Sequence, residues 1–266
     1  MIMEHSFKET LLTVLGLSLY YGTKPILQNV NVKVLNVTRP NMNQGQIVAL
    51  VGPSGCGKTQ LFRCMAGLIQ PTKGAVLLRD STLPVKAGEV GVVQQAYPLL
   101  QHRTVMGNLL ISKKATKTKA MELLTRFGLA DKANSYPIEL SGGQRQRIAI
   151  IQQLLMDNYF LLMDEPFSGL DILAKAEVCD IIREVTLIHE DNTVVFTTHD
   201  IDTAVSLADT VLVMGRTYDD KGISLGSSIV KSYDLISKCI AWHDDNHKSP
   251  QFLEVVNEIK ELFKTL

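Results

Sequence analysis

The residues Gly52-Pro53-Ser54-Gly55-Cys56-Gly57-Lys58-Thr59 set glycines, a lysine and a hydroxyl at the spacing G-x-x-x-x-G-K-[ST] of a phosphate-binding loop. Glycines there free the backbone to wrap phosphate oxygens with N–H groups, and a helix starting at the lysine adds partial positive charge. Lys58 would meet β and γ phosphates, and the Thr59 hydroxyl would reach Mg²⁺. Asp164 follows the apolar run Tyr159 to Met163 and reads as the carboxylate that holds Mg²⁺, usually through water. Its neighbour Glu165 could orient and polarise the attacking water, a role worth roughly 10²–10⁴ in rate. Cys56 lies inside the loop near a helix start, a setting that lowers thiol pKa, and reads as a filler open to alkylation with no catalytic duty. A second helix start, Leu140-Ser141-Gly142-Gly143-Gln144, carries the S-x-x-Q of a capping box. Two glycines there permit close backbone approach, and the helix dipole favours negative charge, so this is a second anion site.

Position requires elements. Apolar, β-branched runs occur at Ile47 to Val51, Val90 to Val93, Tyr159 to Met163 and Val194 to Thr198, with a shorter fifth at Val211 to Met214. They are continuous rather than alternating, which predicts strands buried on both faces of a parallel sheet. The first four lead directly into Gly52, Gln94-Gln95, Asp164-Glu165 and His199-Asp200. Polar chemistry thus collects at the carboxyl ends of strands, the edge where open α/β sheets bind ligands. Helical segments fall between, at Thr59 to Gly67, Lys117 to Phe127, Gly142 to Met156, Leu173 to Ile188 and Ile201 to Ala208. Val30, Val32 and Val34, ahead of Arg39-Pro40, alternate with polar residues and predict half-exposed strands in an antiparallel flank. Near the end, Phe252, Val255, Val256, Ile259, Leu262 and Phe263 recur at helical spacing within Gln251 to Leu266. This predicts a docked amphipathic helix, with a partner-binding helix as the alternative.

Composition bounds the partners. With 27 Lys+Arg against 27 Asp+Glu in 266 residues, the chain lacks the basic excess of a nucleic-acid binder. Its apolar runs are strand-sized, far below the ~20 residues of a membrane span. Thr13, Gly16 and Ser18 interrupt Leu11 to Tyr21, which argues against a signal peptide. Cys56, Cys64, Cys179 and Cys239 form no Cys-x-x-Cys pair, so neither a zinc knuckle nor a disulfide framework is expected, and a reducing cytoplasmic setting fits.

In the order and type of these motifs, residues 10–215 resemble the ATP-binding cassette (ABC) family, specifically the nucleotide-binding subunit of a membrane transporter. The resemblance implies an α/β P-loop NTPase core with an antiparallel β flank, a helical subdomain at about 96–156, and a C-terminal extension over 216–266. It extends the ATP-binding set to Tyr21, as the aromatic that stacks on adenine with Tyr20 as competitor, and to Gln60. Gln95, with Gln94 as competitor, would sense Mg²⁺ and the γ phosphate, and His199 would be the switch histidine. Leu140 to Gln144 would be the signature that closes on the ATP of a partner subunit, and Ser168-Gly169-Leu170-Asp171 the loop coupling paired sites.

The implied cofactors are ATP and Mg²⁺, and the implied partners a second copy of the chain, separate transmembrane permease subunits docking on the insert after Gln95, and a solute-binding protein. The implied location is the cytoplasmic face of a membrane. For the insert itself, a mere helical lid is the alternative. Gln60 stands where a small hydroxyl residue is common, and Gln152-Gln153 replaces the usual Arg-Ala. Asp164-Glu165-Pro166-Phe167-Ser168 points to importers of the nitrate, sulfonate and taurine type. The competing readings are an exporter or lipid-trafficking ATPase, a soluble ABC ATPase, and a P-loop small-molecule kinase, which would leave Leu140 to Gln144 without purpose.

Overall fold

The computed structural model describes residues 6–38, 45–94, 97–156, 158–189, 192–241 and 249–266. One sheet organises the chain. Its strands are β1 (Ser6–Tyr21), β2 (Lys24–Thr38), β3 (Gln46–Val51), β4 (Lys73–Leu78), β5 (Gly91–Val93), β6 (Phe160–Asp164), β7 (Thr193–Thr198), β8 (Thr210–Tyr218) and β9 (Ser224–Asp234). They lie in the order β4-β1-β2-β9-β8-β3-β7-β6-β5. The run β8-β3-β7-β6-β5 is parallel, whereas β1 pairs antiparallel with β2 and β4.

Burial explains the two kinds of sequence pattern. In β3, Ile47, Ala49 and Val51 enter one hydrophobic cluster while Val48 and Leu50 enter the other on the opposite face. The same split separates Leu161 and Met163 from Phe160 and Leu162 in β6. A strand covered on both sides has no position left for a polar side chain, hence the unbroken apolar runs. In β2, buried Val30, Val32 and Val34 alternate with exposed Asn29, Asn31 and Lys33, as the flank reading requires. The Arg39-Pro40 step lies outside the described residues.

Helices fill both layers. They are α1 (Lys58–Met65), α2 (Val105–Leu109), α3 (Lys117–Arg126), α4 (Gly142–Leu154), α5 (Ile172–Thr186), α6 (Ile201–Leu207) and α7 (Pro250–Thr265). The run α2 to α4 leaves the sheet after β5 and returns to β6, forming a helical subdomain. The C-terminal helix is docked: Phe252, Val255, Val256 and Ile259 are buried, and Lys260 pairs with Asp202 of α6. Gly215 of β8 leaves room for the terminal side chain, since a Cβ there would lie 2.3 Å from Leu266 Cδ2.

One expectation needs correction. The strand read at Val211 to Met214 runs from Thr210 to Tyr218, because it pairs antiparallel along its length with β9, an element whose mixed Ser, Lys and Asp composition hid it. Leu11 to Tyr21 belongs to the longer β1, which absorbs Gly16 at φ 56° through a register shift between Val14 and Leu17.

Candidate nucleotide-binding site

The phosphate-loop residues connect β3 to α1, at the carboxyl end of a strand that lies between β8 and β7 in the sheet. Gly55 and Gly57 have φ of 78° and 95°, a left-handed backbone that side chains disfavour. At Gly52 the reason for glycine is space: a Cβ would meet Met214 O at 2.5 Å and Cys56 Sγ at 2.7 Å. Helices α2 to α7 each start at a Thr, Ser or Asp whose side chain accepts a first-turn N–H. By contrast α1 starts at Gly57 with no side-chain cap, so no capping side chain occupies the end of the helix that an anion would meet.

Lys58 is buried, and a buried ammonium needs partners. It donates to Gly52 O at 2.8 Å and Pro53 O at 3.4 Å and sits 3.5 Å from Glu165 Oε1. Ser54 and Gly55 are exposed at the crest of the loop. Cys56 departs from expectation: it is buried, and burial pushes its thiol pKa up in spite of the nearby charges of Lys58 and Arg216. Desolvation of the thiolate outweighs the helix start, so the thiol is neither activated nor open to alkylation.

The two acids at the end of β6, Asp164 within it and Glu165 just after, are held by β7. Thr197 is opposite Asp164 in the parallel register. Its hydroxyl donates to Asp164 Oδ1 at 2.7 Å and accepts from the Glu165 N–H at 2.9 Å. Thr59 Oγ1 lies 3.4 Å from the same Asp164 Oδ1, so a hydroxyl and a carboxylate from different elements converge. Glu165 has φ 47°, unusual for a non-glycine residue and of order 1–3 kcal/mol in strain. The turn aims its carboxylate between two cations or donors, since Oε2 is 3.1 Å from His199 Nδ1 while Oε1 faces Lys58. His199 is more than half exposed at the end of β7. Gln95 lies outside the described residues; Gln94 is exposed at the end of β5.

Other predicted residues lie farther out. Tyr21 is half exposed, and its hydroxyl donates to Gln60 Oε1 at 2.7 Å beside the start of α1. Tyr20 instead turns to Gln28, at 2.6 Å. Ser141 and Gln144 form the expected reciprocal cap at 3.2 and 3.0 Å, with Leu140 buried beneath and Ser141 and Gly142 exposed. Among the described residues, no hydrogen bond or ion pair joins Leu140–Gln144 to the phosphate loop of the same chain. Ser168 donates its N–H to Glu165 O, Gly169 adopts φ 73°, Leu170 is half-buried, and Asp171 caps α5 by accepting from Ala174 N–H.

Several contributors have no motif of their own. Thr197 was visible only as part of an apolar strand. Gln146 on α4 donates to Pro166 O at 3.4 Å, tying the second helix start to the acidic turn. Arg147 pairs with Glu177 at 2.6 Å, and that Glu177 oxygen would lie 3.9 Å from a Cβ on Gly143. Arg216 of β8 reaches Gly55 O at 3.2 Å.

The family profile described as ABC transporter matches residues 35–168. The sulfate/thiosulfate import ATP-binding protein CysA of Pectobacterium atrosepticum is 38% identical over 200 residues, 69% of this chain and 60% of its own length. The match thus spans less than two thirds of that relative. The arginine transport ATP-binding protein ArtM of Bacillus subtilis is 35% identical over 216 residues, 75% of this chain and 85% of its own. The structure of cbiO1 from Clostridium perfringens, part of the ABC transporter complex cbiONQ, superposes over 95% of this chain and 100% of its own with TM-score 0.71 at 21% identity, a likeness of fold. A phosphate loop on an interior strand, an acidic pair beside it, a separate capped helix start and these likenesses agree: the chain belongs to the ABC transporter family.

Proposed function

We propose that this subunit binds MgATP through Tyr21, the loop Gly52 to Gln60 and Asp164, and that two copies close head to tail over two nucleotides to power import of a small solute. The observation that carries this reading is the division of the site. Lys58, Thr59, Asp164, Glu165 and His199 converge at one strand edge, whereas the Ser141 helix start faces solvent. A second copy related by two-fold symmetry would bring its Ser141 and Gly143 to the first copy's triphosphate, and the reverse.

Each residue then has a step. Lys58 exchanges the Gly52 and Pro53 carbonyls for phosphate oxygens. Glu165 accepts a hydrogen bond from the attacking water and draws its proton as the oxygen approaches the γ phosphorus; His199 fixes the carboxylate and contacts the γ phosphate. Asp164 and Thr59 fit a Mg²⁺ ion, which takes few protein ligands and fills its shell with water and substrate phosphate. Bound there with Gln95, the ion would neutralise charge developing on the phosphates. Phosphate loss removes the shared ligand and lets the copies part.

Separate permease subunits and a solute-binding protein are the proposed partners; the relatives' names, import and transport ATP-binding proteins, support the import role. The substrate class of this chain is proposed as a small anion of the sulfate or sulfonate kind. The helical subdomain at about 96–156 is the proposed permease contact, and the core over 10–215 the motor together with the rest of β8 and with β9, which lies between β8 and β2 in the sheet. Among the described residues no helix is long and apolar enough to cross a membrane, which supports attachment at the cytoplasmic face through those partners.

Glu165→Gln tests the mechanism. Steady-state phosphate release should fall by about 10²–10⁴, and sedimentation velocity should show a MgATP-dependent dimer. Wild-type turnover in this variant would remove Glu165 from catalysis, and a strictly monomeric variant at saturating MgATP would sink the two-copy site.

A further inference from the structure

Strand β8 outlasts the strand that leads into the phosphate loop. In their parallel register Val51, the last residue of β3, lies opposite Val213, and β8 runs on to Tyr218. The overhang is held from its other side by β9, with Gly215 opposite Ser228 and Arg216 opposite Ser227. It runs beside the loop from foot to crest. A Cβ on Gly52 would meet Met214 O at 2.5 Å, and one on Gly57 would lie 3.4 Å from Met214 Cε. Two residues along, Arg216 Nη2 donates to Gly55 O at 3.2 Å, so a guanidinium 161 residues away in sequence reaches the loop's crest.

The crest has little else to hold it. Gly55 is exposed, its φ is 78°, and a Cβ there would meet nothing within 4 Å. Among the described residues two side chains donate to carbonyls of Gly52 to Gly57: Lys58, to Gly52 and Pro53, and Arg216, to Gly55. In the function proposed above Lys58 gives up both carbonyls for phosphate, which leaves Arg216. The bond also sets a direction. In a trans peptide the C=O and N–H point opposite ways, so fixing Gly55 O toward Arg216 turns the Cys56 N–H away from it. That N–H donates to Pro53 O at 3.2 Å, the carbonyl that Lys58 also approaches, and so lies on the Lys58 side of the loop. We infer that Arg216 is a positioning residue for nucleotide binding, holding the Gly55–Cys56 peptide so that its N–H faces phosphate when Lys58 leaves the loop carbonyls. The inference rests on the reading of this loop as the MgATP site.

The test compares Arg216→Met, which keeps the stem and loses donor and charge, with Arg216→Lys, which keeps both. The readouts are equilibrium binding of a fluorescent ATP analogue with Mg²⁺ under monomeric conditions, kcat and KM for MgATP, and the urea midpoint. In Arg216→Met the analogue's Kd and the KM should rise by about tenfold, the low end for one charge-assisted hydrogen bond. Its kcat should stay within about twofold, the mark of lost binding common to ground and transition states. Arg216→Lys should bind within about threefold of wild type. Because Arg216 is exposed, the urea midpoint should not move. The ratio of variant to wild-type Kd should persist from about 0.05 to 0.5 M salt, since salt screens charges at a distance far more than atoms in contact. Unchanged affinity in Arg216→Met overturns the inference. So does a loss that vanishes at high salt, which makes Arg216 a long-range charge, or one that comes with a lowered urea midpoint and an equal fall in kcat, which makes it a structural residue. Lys58→Ala separates the two readings: if it binds the analogue as wild type does, the loop is not the nucleotide site and the inference falls with that reading. If it loses binding while Arg216→Met does not, the inference alone is overturned.

Discussion

In the proposed mechanism Glu165 carries the chemistry, and its backbone is held where a glutamate rarely sits. Its φ of 47° is stabilised by the Thr197 hydroxyl on its N–H, and the same hydroxyl grips Asp164. Thr197→Val keeps the shape, leaves the Glu165 N–H unpaired and leaves Asp164 Oδ1 with only the 3.4 Å contact from Thr59. Urea unfolding should show a loss of about 1–3 kcal/mol, and phosphate-release assays should show kcat falling more than KM rises; unaltered kcat would mean that the strained turn holds without Thr197. Charge beside the second helix start makes another residue-scale prediction. Arg147 neutralises Glu177 next to Gly143, where a partner's phosphate would arrive. Two charges 4 Å apart interact by about 1–4 kcal/mol between bulk water and a surface dielectric. Arg147→Ala should therefore lower turnover by roughly tenfold or more, less at high salt, and Glu177→Gln in the same chain should restore most of it. Failure of the second substitution to rescue would assign Arg147 a packing role instead.

At the scale of elements, the start of α6 couples His199 to the fold. Asp200 follows His199, caps α6 through the Thr203 N–H and hydroxyl, and pairs with Lys175 of α5. Burial pushes its carboxyl upward, but Lys175 and the Thr203 bonds together hold its pKa below the ordinary value of 3.8. A depressed folded pKa means stabilisation that is complete above the unfolded pKa and lost as pH falls through the folded one. Asp200→Asn retains a capping oxygen and loses the ion pair. The stability gap between wild type and Asp200→Asn should stay constant above about pH 5 and shrink in more acid solution; a gap independent of pH in denaturant midpoints would remove the ion pair from the balance. The helices themselves were legible, since α4, α5 and α7 have caps and apolar periodicity in local sequence. Strand β9 was not, because its pairing with β8 places few apolar side chains in the core.

At the scale of the whole molecule, the fold leaves an apolar face beside the coupling loop. Ile172 and Leu173, directly after Asp171, are 86% and 79% exposed. Large aliphatic side chains so exposed, next to a loop proposed to link two copies, fit a surface covered on association. Leu173→Asp should weaken the MgATP-dependent dimer of Glu165→Gln in sedimentation experiments while leaving fluorescent-ATP binding to the monomer unchanged. A dimer of undiminished affinity would place the contact elsewhere.

The sequence by itself determined the features written in contiguous residues: the phosphate loop, the acidic pair, the capped second helix start and the terminal amphipathic helix. Those follow from local rules, namely glycine's left-handed freedom, a cap three residues before its donor, and periodicity set by one helix or strand. Only the tertiary structure decided which distant side chains complete the site. Thr197 reaches Asp164 because β6 and β7 pair in a parallel register, and Arg147 reaches Glu177 because α4 packs on α5. It also reversed the Cys56 reading, since desolvation depends on neighbours that the loop's own residues do not specify. Register and burial are properties of chain segments far apart in sequence, and no spacing within one segment encodes them.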